Sequence, residues 1–126
     1  KLRKFSDNEG ELIFYERIAV AEPGLSNYVI SGSASPERLR AVLAEALGIA
    51  GTVKKVRALY ISGQTRIHLD EVEGLGRFVE LEVVLAAGQK EEEGRRIAES
   101  LMKELGISKS DLIDCAYVDM LSRKQG

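Results

Sequence analysis

Alternation of apolar and polar residues dominates the start and the middle of the chain, and helical spacing governs two later stretches. Lys1–Phe5 and Glu11–Ile18 read as two strands of a hairpin, joined by Ser-Asp-Asn-Glu-Gly at 6–10. Residues 19–36 hold Pro23, Gly24, Ser26, Asn27, Ser31, Gly32, Ser33 and Ser35, the composition of a long loop, with room for a short strand near Tyr28–Ile30. Ser35-Pro36 then opens a helix, with serine as N-cap and proline at the first helical position. Leu39, Val42, Leu43, Ala46 and Leu47 form its apolar stripe, and Gly48 ends it. Three further strands are predicted at Val53–Ile61, Gln64–Val72 and Phe78–Leu85. A second helix is predicted over Gln89–Leu105, with Ile97, Leu101, Met102 and Leu105 facing inward, Gly94 as a weak point and Gly106 as its stop. Ser108-Lys109-Ser110-Asp111 resembles a capping box with aspartate in place of glutamate, and predicts a short terminal helix carrying Cys115. Strands with helices inserted and no regular βαβ alternation predict an α+β fold with an antiparallel sheet or barrel.

Length and composition narrow the classes. With 126 residues, the expectation is a single domain over 1–126. The one cysteine cannot form an internal disulfide and suits a reducing, cytoplasmic setting. The longest apolar run is Val83–Ala87, far short of the ~20 residues a membrane span needs. A net charge of −2 argues against a dedicated nucleic-acid binder. Because the sequence opens inside a predicted strand, we expect an N-terminally truncated piece.

The near-neutral total conceals a separation of charge. Ile49–Leu69 carries Lys54, Lys55, Arg57 and Arg66 and no acid, whereas Asp70–Glu82 carries Asp70, Glu71, Glu73, Glu80 and Glu82 against Arg77 alone. Successive strand residues alternate between faces. Val79, Leu81, Val83 and Leu85 therefore make an apolar face, and Phe78, Glu80, Glu82 and Val84 make the other. Arg66, His68 and Asp70 share one face of the preceding strand, with Ile67 and Leu69 opposite. A hairpin centred on Leu75, between Gly74 and Gly76, sets Asp70 against Glu80 and His68 against Glu82. A shift by whole pairs keeps the same residues on one face.

Carboxylates grouped in this way repel, and solvent, a base or a divalent cation must offset the repulsion. Oxygen ligands of this kind suit Mg²⁺ or Mn²⁺. The solvated face of an open antiparallel sheet accounts for the alternation equally well. Lys1 with Arg3, Tyr15 with Arg17, and Lys55 with Arg57 form same-face pairs on three other strands. A basic wall facing an acidic wall suits a polyphosphate bridged to metal, with each base taken singly also readable as a solvent-facing side chain.

Other residues carry less. His68 is the sole histidine, and a structural or hydrogen-bonding role outweighs general-base chemistry. No second histidine or cysteine is present to complete a zinc set. Cys115 reads as core and Tyr15 as a packed strand tyrosine. Gly74-Leu75-Gly76 is a hairpin turn and not a phosphate-cradling loop, since no helix follows it.

The segment VKKVRALYISGQTRIHLDEVEGLGRFVELEVVL, Val53 to Leu85, resembles the CYTH superfamily, the triphosphate tunnel metalloenzymes, and within it the class IV adenylyl cyclase branch. KLRKF followed by ELIFYER resembles two preceding strands of that family, and LIDCAYVDML its terminal segment. The resemblance runs from Lys1 to about Leu121, and His68–Glu82 is its most specific part. It implies an antiparallel β-barrel or tunnel with helices packed outside. Lys1, Arg3, Arg17, Lys55, Arg57 and Arg66 would contact phosphate oxygens, and Asp70, Glu80 and Glu82 would serve Mg²⁺ or Mn²⁺. The implied activity is conversion of ATP to cyclic AMP and pyrophosphate, with an inorganic or organic triphosphatase (thiamine triphosphatase-like) or a non-catalytic triphosphate-binding module as alternatives. The partners implied are a nucleoside triphosphate or other triphosphate, with neither nucleic acid nor membrane, and a homodimer as one way to cover an open sheet edge. The E-x-E-x-K strand that opens the family is absent from these residues, so the tunnel is expected to lack its first strand and part of its metal site.

Overall fold

The computed structural model describes residues 1–16 and 24–125. In chain order the described elements are β1 (Leu2–Ser6), β2 (Glu9–Glu16), β3 (Asn27–Ser33), α1 (Pro36–Leu47), β4 (Lys55–Ser62), β5 (Thr65–Val72), β6 (Gly76–Val83), α2 (Glu91–Leu105), a single 3₁₀ turn (Lys109–Asp111) and α3 (Tyr117–Gln125). Two three-stranded antiparallel sheets and three α-helices make this an α+β fold. The chain divides into two compact units, the first holding β1 to α1 and the second β4 to α3. None of the described helices is long and apolar enough to cross a membrane.

In the first unit the sheet order is β1-β2-β3. The short strand expected near Tyr28–Ile30 is longer, since Asn27–Ser33 pairs with β2 from Glu16↔Asn27 to Gly10↔Ser33; the end of the second predicted strand and the start of the predicted loop, residues 17–23, lie outside the described residues. Tyr28, Val29 and Ile30 lie opposite Tyr15, Phe14 and Ile13, and such residues favour pleated backbone. Ser31–Ser33 follow because ladder hydrogen bonds come from the backbone, whatever the side chain. Helix α1 starts at Pro36, as its sequence dictates, but the Ser35 side chain makes no capping hydrogen bond; its own N–H donates to Ser33 Oγ at 3.2 Å. Gly48 ends the helix at φ 76°, where an L side chain is strained.

Helix α1 packs on β1 and β2 through a close approach at Gly10. A Cβ there would stand 2.6 Å from Pro36 Cβ and 2.7 Å from the carbonyl oxygen of Arg3. Neither obstacle can rotate away. Gly10→Ala is therefore expected to destabilise the protein by about 2 kcal/mol, the scale of overpacking in a dense contact. Chemical denaturation would check it, with a lowered midpoint at unchanged slope.

In the second unit β4, β5 and β6 form a meander with continuous registers. The β5–β6 turn sits one pair away from the expected position: Val72 pairs with Gly76, so Asp70 faces Phe78, His68 faces Glu80 and Arg66 faces Glu82. Gly74 explains the shift. Leu75 N–H donates to the carbonyl of Val72 at 3.1 Å, and Gly74, third in that turn, has φ 80°, the conformation a type II turn demands there. The displacement is a whole pair, so no residue changes face.

Helix α2 begins at Glu91 rather than Gln89. Lys90 N–H is capped by Glu93 Oε2 at 2.9 Å, while the Gln89 side chain turns back to accept from Ala86 N–H and Gln64. Glu91, Glu92 and Glu93 fill the first turn, where negative charge complements the dipole. Gly94 has a positive reason to be small: a Cβ would meet Leu85 Cδ2 at 2.5 Å and Val83 Cγ1 at 3.8 Å, where α2 rests on the end of β6. Away from that contact the apolar face of this sheet is open, with Val56 76% exposed. The capping box at Ser108–Asp111 forms, Asp111 Oδ2 accepting from Ser108 N–H at 2.8 Å, but it caps only the 3₁₀ turn. Extended backbone at Leu112 breaks the helix there (φ −70°, ψ 138°), and α3 starts at Tyr117. Cys115 consequently lies before the terminal helix and is half-buried, with Arg123 Nη1 3.9 Å from its sulfur.

Candidate functional site

The β4–β5–β6 registers place Lys55 and Arg57, then Arg66, His68 and Asp70, then Phe78, Glu80 and Glu82 on one face. Arg57 stands directly opposite Asp70, and Asp70 opposite Phe78. Two residues of this face are withdrawn from solvent: Asp70 is 2% exposed and His68 7%.

Asp70 is the hub. Arg57 grips it with both ends of the guanidinium, Nε to Oδ1 at 2.6 Å and Nη2 to Oδ2 at 2.7 Å. Lys55 Nζ reaches Oδ2 at 3.4 Å, and the Tyr117 hydroxyl donates to the same oxygen at 2.8 Å. Arg57 Nη2 also donates to Glu80 Oε2 at 3.3 Å. Farther along the face, Arg66 lies 3.7 Å from Glu82 Oε1. The repulsion expected among the three carboxylates is thus offset by bases. His68 sits between acids, Nδ1 3.5 Å from Glu80 Oε1 and Nε2 3.9 Å from Glu82 Oε2, and its buried Nδ1 has no hydrogen-bond partner among the described residues.

These contacts fix the protonation states. Burial pushes the Asp70 carboxyl upward, but hydrogen bonds from Arg57 and Tyr117 and the charges of Arg57 and Lys55 outweigh it and hold the group at about 2. Burial, then repulsion from Arg57, lowers His68 from its ordinary value, so the ring is neutral near pH 7. Burial and the neighbouring Arg57 lower Lys55, while the Asp70 hydrogen bond raises Arg57. Burial and the bond to Asp70 keep the Tyr117 phenol protonated.

A carboxyl depressed in the folded state stabilises the protein above its unfolded value near 4, and that contribution disappears as pH falls towards 2. The difference corresponds to about 2 kcal/mol. Melting temperatures between pH 5 and 2 should therefore fall more steeply for the wild type than for Asp70→Asn. Parallel curves would contradict the linkage.

Could these residues hold a divalent cation? Asp70 already accepts four donors, one on Oδ1 and three on Oδ2, and two of its partners are cations, which makes it the most engaged of the three carboxylates. Among the described residues no three His, Cys, Asp or Glu side chains come together as a metal centre. Glu80 and Glu82 differ from Asp70 in keeping solvent-accessible carboxylates, 45% and 30% exposed. Mg²⁺ is commonly bound through one or two carboxylates with substrate phosphates completing its shell, and this pair fits that mode.

The first unit carries the other expected bases. Lys1 and Arg3 share a face with Tyr15. Lys1 Nζ lies 5.1 Å from the centroid of the Tyr15 ring, and Arg3 pairs with Glu11 at 3.3 Å. Tyr15 is thus partly exposed and carries a cation, rather than being packed as expected. Arg17 lies outside the described residues.

Tyr117 escaped the sequence reading. Its ring packs against Phe78 (centroids 5.0 Å apart, 51° tilt), and Lys55 Nζ lies 5.2 Å from its centroid. No spacing rule links a tyrosine to an aspartate 47 positions earlier. The available signal was an amphipathic tyrosine in a terminal segment with few other polar aromatics.

A family model described as the CYTH domain matches residues 1–117. A curated protein of Methanocaldococcus jannaschii, "Putative adenylate cyclase MJ0240", is 29% identical over 68 residues, covering 54% of this chain and 39% of that protein. The solved PH1012 protein of Pyrococcus horikoshii OT3 superposes with a TM-score of 0.79 at 21% identity, over 89% of this chain and 66% of that one. The PH1819 protein of the same organism gives 0.74 at 26% identity, over 92% and 66%. This chain thus spans about two fifths of the curated relative and about two thirds of each of these solved relatives. The match runs through both units, takes in every charged strand described above and stops at Tyr117: the chain belongs to the CYTH domain family.

Proposed function

We propose that this chain contributes the phosphate-binding face of a metal-dependent enzyme acting on a triphosphate, with the reaction of a class IV adenylyl cyclase: the ribose 3′-oxygen of ATP attacks the α-phosphorus, and pyrophosphate leaves. The observation that carries the reading is the pairing of Lys55 and Arg57 over a buried carboxylate, beside the accessible carboxylates of Glu80 and Glu82. Buried Asp70 fixes the two cations in direction without a direct share in the ligand. Their positive charge would meet the phosphate oxygens, and Arg57 would offer the planar fork that phosphate favours. Glu80 and Glu82 would hold Mg²⁺ or Mn²⁺ together with the phosphates, and the ion would supply neutralising charge for the bridging and leaving oxygens. Lys1, Arg3, Arg17 and Arg66 join as phosphate contacts on the family resemblance. The tunnel lacking its first strand, the single-domain reading and a cytoplasmic setting belong to the same proposal, supported by a family match over residues 1–117 and by the lone cysteine.

A second reading, a triphosphate-binding module without turnover, is favoured by one observation: among the described residues the acids do not assemble a complete metal centre. Product analysis with Mg²⁺ or Mn²⁺ on ATP, inorganic triphosphate and thiamine triphosphate separates the cases. Cyclic AMP and pyrophosphate from ATP support the cyclase reading. Orthophosphate from inorganic or thiamine triphosphate with no cyclic AMP replaces it with a triphosphatase, and binding without turnover leaves the module.

A further inference from the structure

We propose that Tyr117 is a positioning residue for the cation pair Lys55 and Arg57, acting on Arg57 through Asp70 and on Lys55 through its ring. The proposal deepens the phosphate-binding reading and rests on it for its consequence, but the positioning itself is a property of the free protein.

Tyr117 opens α3, and that helix is tied down along its length. Val118 packs into the space left by Gly51, where a Cβ would collide with Val118 Cγ2. Leu121 lies against Gly74 at the β5–β6 turn, and Lys124 Nζ donates to the carbonyl of Gly74 at 2.7 Å. The helix thereby delivers Tyr117 to one place on the charged face. There its hydroxyl takes part of Asp70 Oδ2 at 2.8 Å, the oxygen that Arg57 Nη2 and Lys55 Nζ share. Phe78, opposite Asp70 in the register, packs against the ring and holds its plane.

The ring face attracts the Lys55 ammonium at 5.2 Å, while the bond from that ammonium to Asp70 is long, 3.4 Å. Lys55 is therefore stationed between a ring and a carboxylate whose charge Arg57 and Tyr117 already absorb. An ammonium so placed keeps donors for an incoming anion. Without the hydroxyl, Asp70 Oδ2 loses one of its three donors, draws Lys55 in from 3.4 Å and away from any ligand, and becomes a stronger acceptor for Arg57 Nη2, already at 2.7 Å.

The test is Tyr117→Phe, which keeps the ring, its contact with Phe78 and its attraction for Lys55, and removes only the hydroxyl. In the free protein, ¹⁵N NMR signals of Arg57 Nε and Lys55 Nζ should shift while other arginine side-chain signals stay put. Unchanged Arg57 and Lys55 signals overturn the proposal. In calorimetric titrations, inorganic tripolyphosphate should bind Tyr117→Phe roughly tenfold more weakly than the wild type, the scale of one hydrogen bond to a charged group. Equal affinities in two proteins that both bind also overturn it. Should the wild type bind no tripolyphosphate, the phosphate reading fails, and the NMR shifts still decide whether Tyr117 positions the pair.

Discussion

Arg57→Ala should lose both stability and ligand affinity, the largest combined effect expected of a single substitution on this sheet. Asp70 is buried, and Arg57 supplies two of its four hydrogen bonds. Breaking a buried ion pair from one side typically costs about 3–5 kcal/mol, because the remaining charge is stranded. Lys55 and Tyr117 stay in contact with Asp70, which places the expected loss at the lower end, about 3 kcal/mol. For a chain of this size the melting temperature should fall by roughly 10 °C. Tripolyphosphate affinity should drop on the order of a hundredfold, with less salt dependence in what remains. Arg57→Lys separates the two losses, since it restores charge without the bidentate fork. It should recover part of the stability and little of the affinity.

Glu80→Gln carries the second large effect, this time on activity with the fold left intact. Glu80 is almost half exposed, and its contact with Arg57 is 3.3 Å, so its loss should change stability by no more than about 0.5–1 kcal/mol. The amide preserves shape and removes the negative charge that a divalent cation would need. Any metal-dependent turnover of a triphosphate should fall about a thousandfold, the rate equivalent of several kcal/mol of lost charge stabilisation. Retained melting temperature with lost turnover is the expected pattern. Full turnover in both Glu80→Gln and Glu82→Gln would remove the carboxylates from the proposed chemistry.

The charged face of the second sheet was readable in the sequence because its strands are regular. Period-two alternation grouped Asp70, Glu80 and Glu82 on one surface and Lys55 with Arg57 on one face of their own strand, and both groupings survive a shift of the β5–β6 pairing by two residues. The displacement itself was not readable, since both Gly74 and Gly76 accept positive φ and either could have centred the hairpin. Strand β3 was hidden for a different reason. Ser31, Gly32 and Ser33 carry turn composition, and only their pairing with Leu12, Glu11 and Gly10 makes them a strand. Gly94 read as a defect in helix propensity, whereas its value lies in contact with Leu85, a neighbour outside the helix.

The burial of Asp70 illustrates the same divide. Its face followed from alternation, but the Tyr117 hydroxyl that helps cover it comes from a helix nearly 50 positions away and from no local pattern. Sequence grouped the acids as alike, while the structure gives them different surroundings: Asp70 is buried and engaged by Arg57, Lys55 and Tyr117, and Glu80 and Glu82 remain accessible. That separation is why we give the two glutamates to the metal and Asp70 to the cation pair.

Calorimetric titration of inorganic tripolyphosphate with Mg²⁺ into the wild type, Lys55→Ala and Glu82→Gln, at low and high salt, asks whether the charged face binds phosphate and metal together. Wild-type binding should weaken as salt rises, lose most of its affinity in Lys55→Ala at either salt level, and lose its Mg²⁺ dependence in Glu82→Gln. Binding of equal strength in all three proteins, or none in the wild type, would contradict that joint binding.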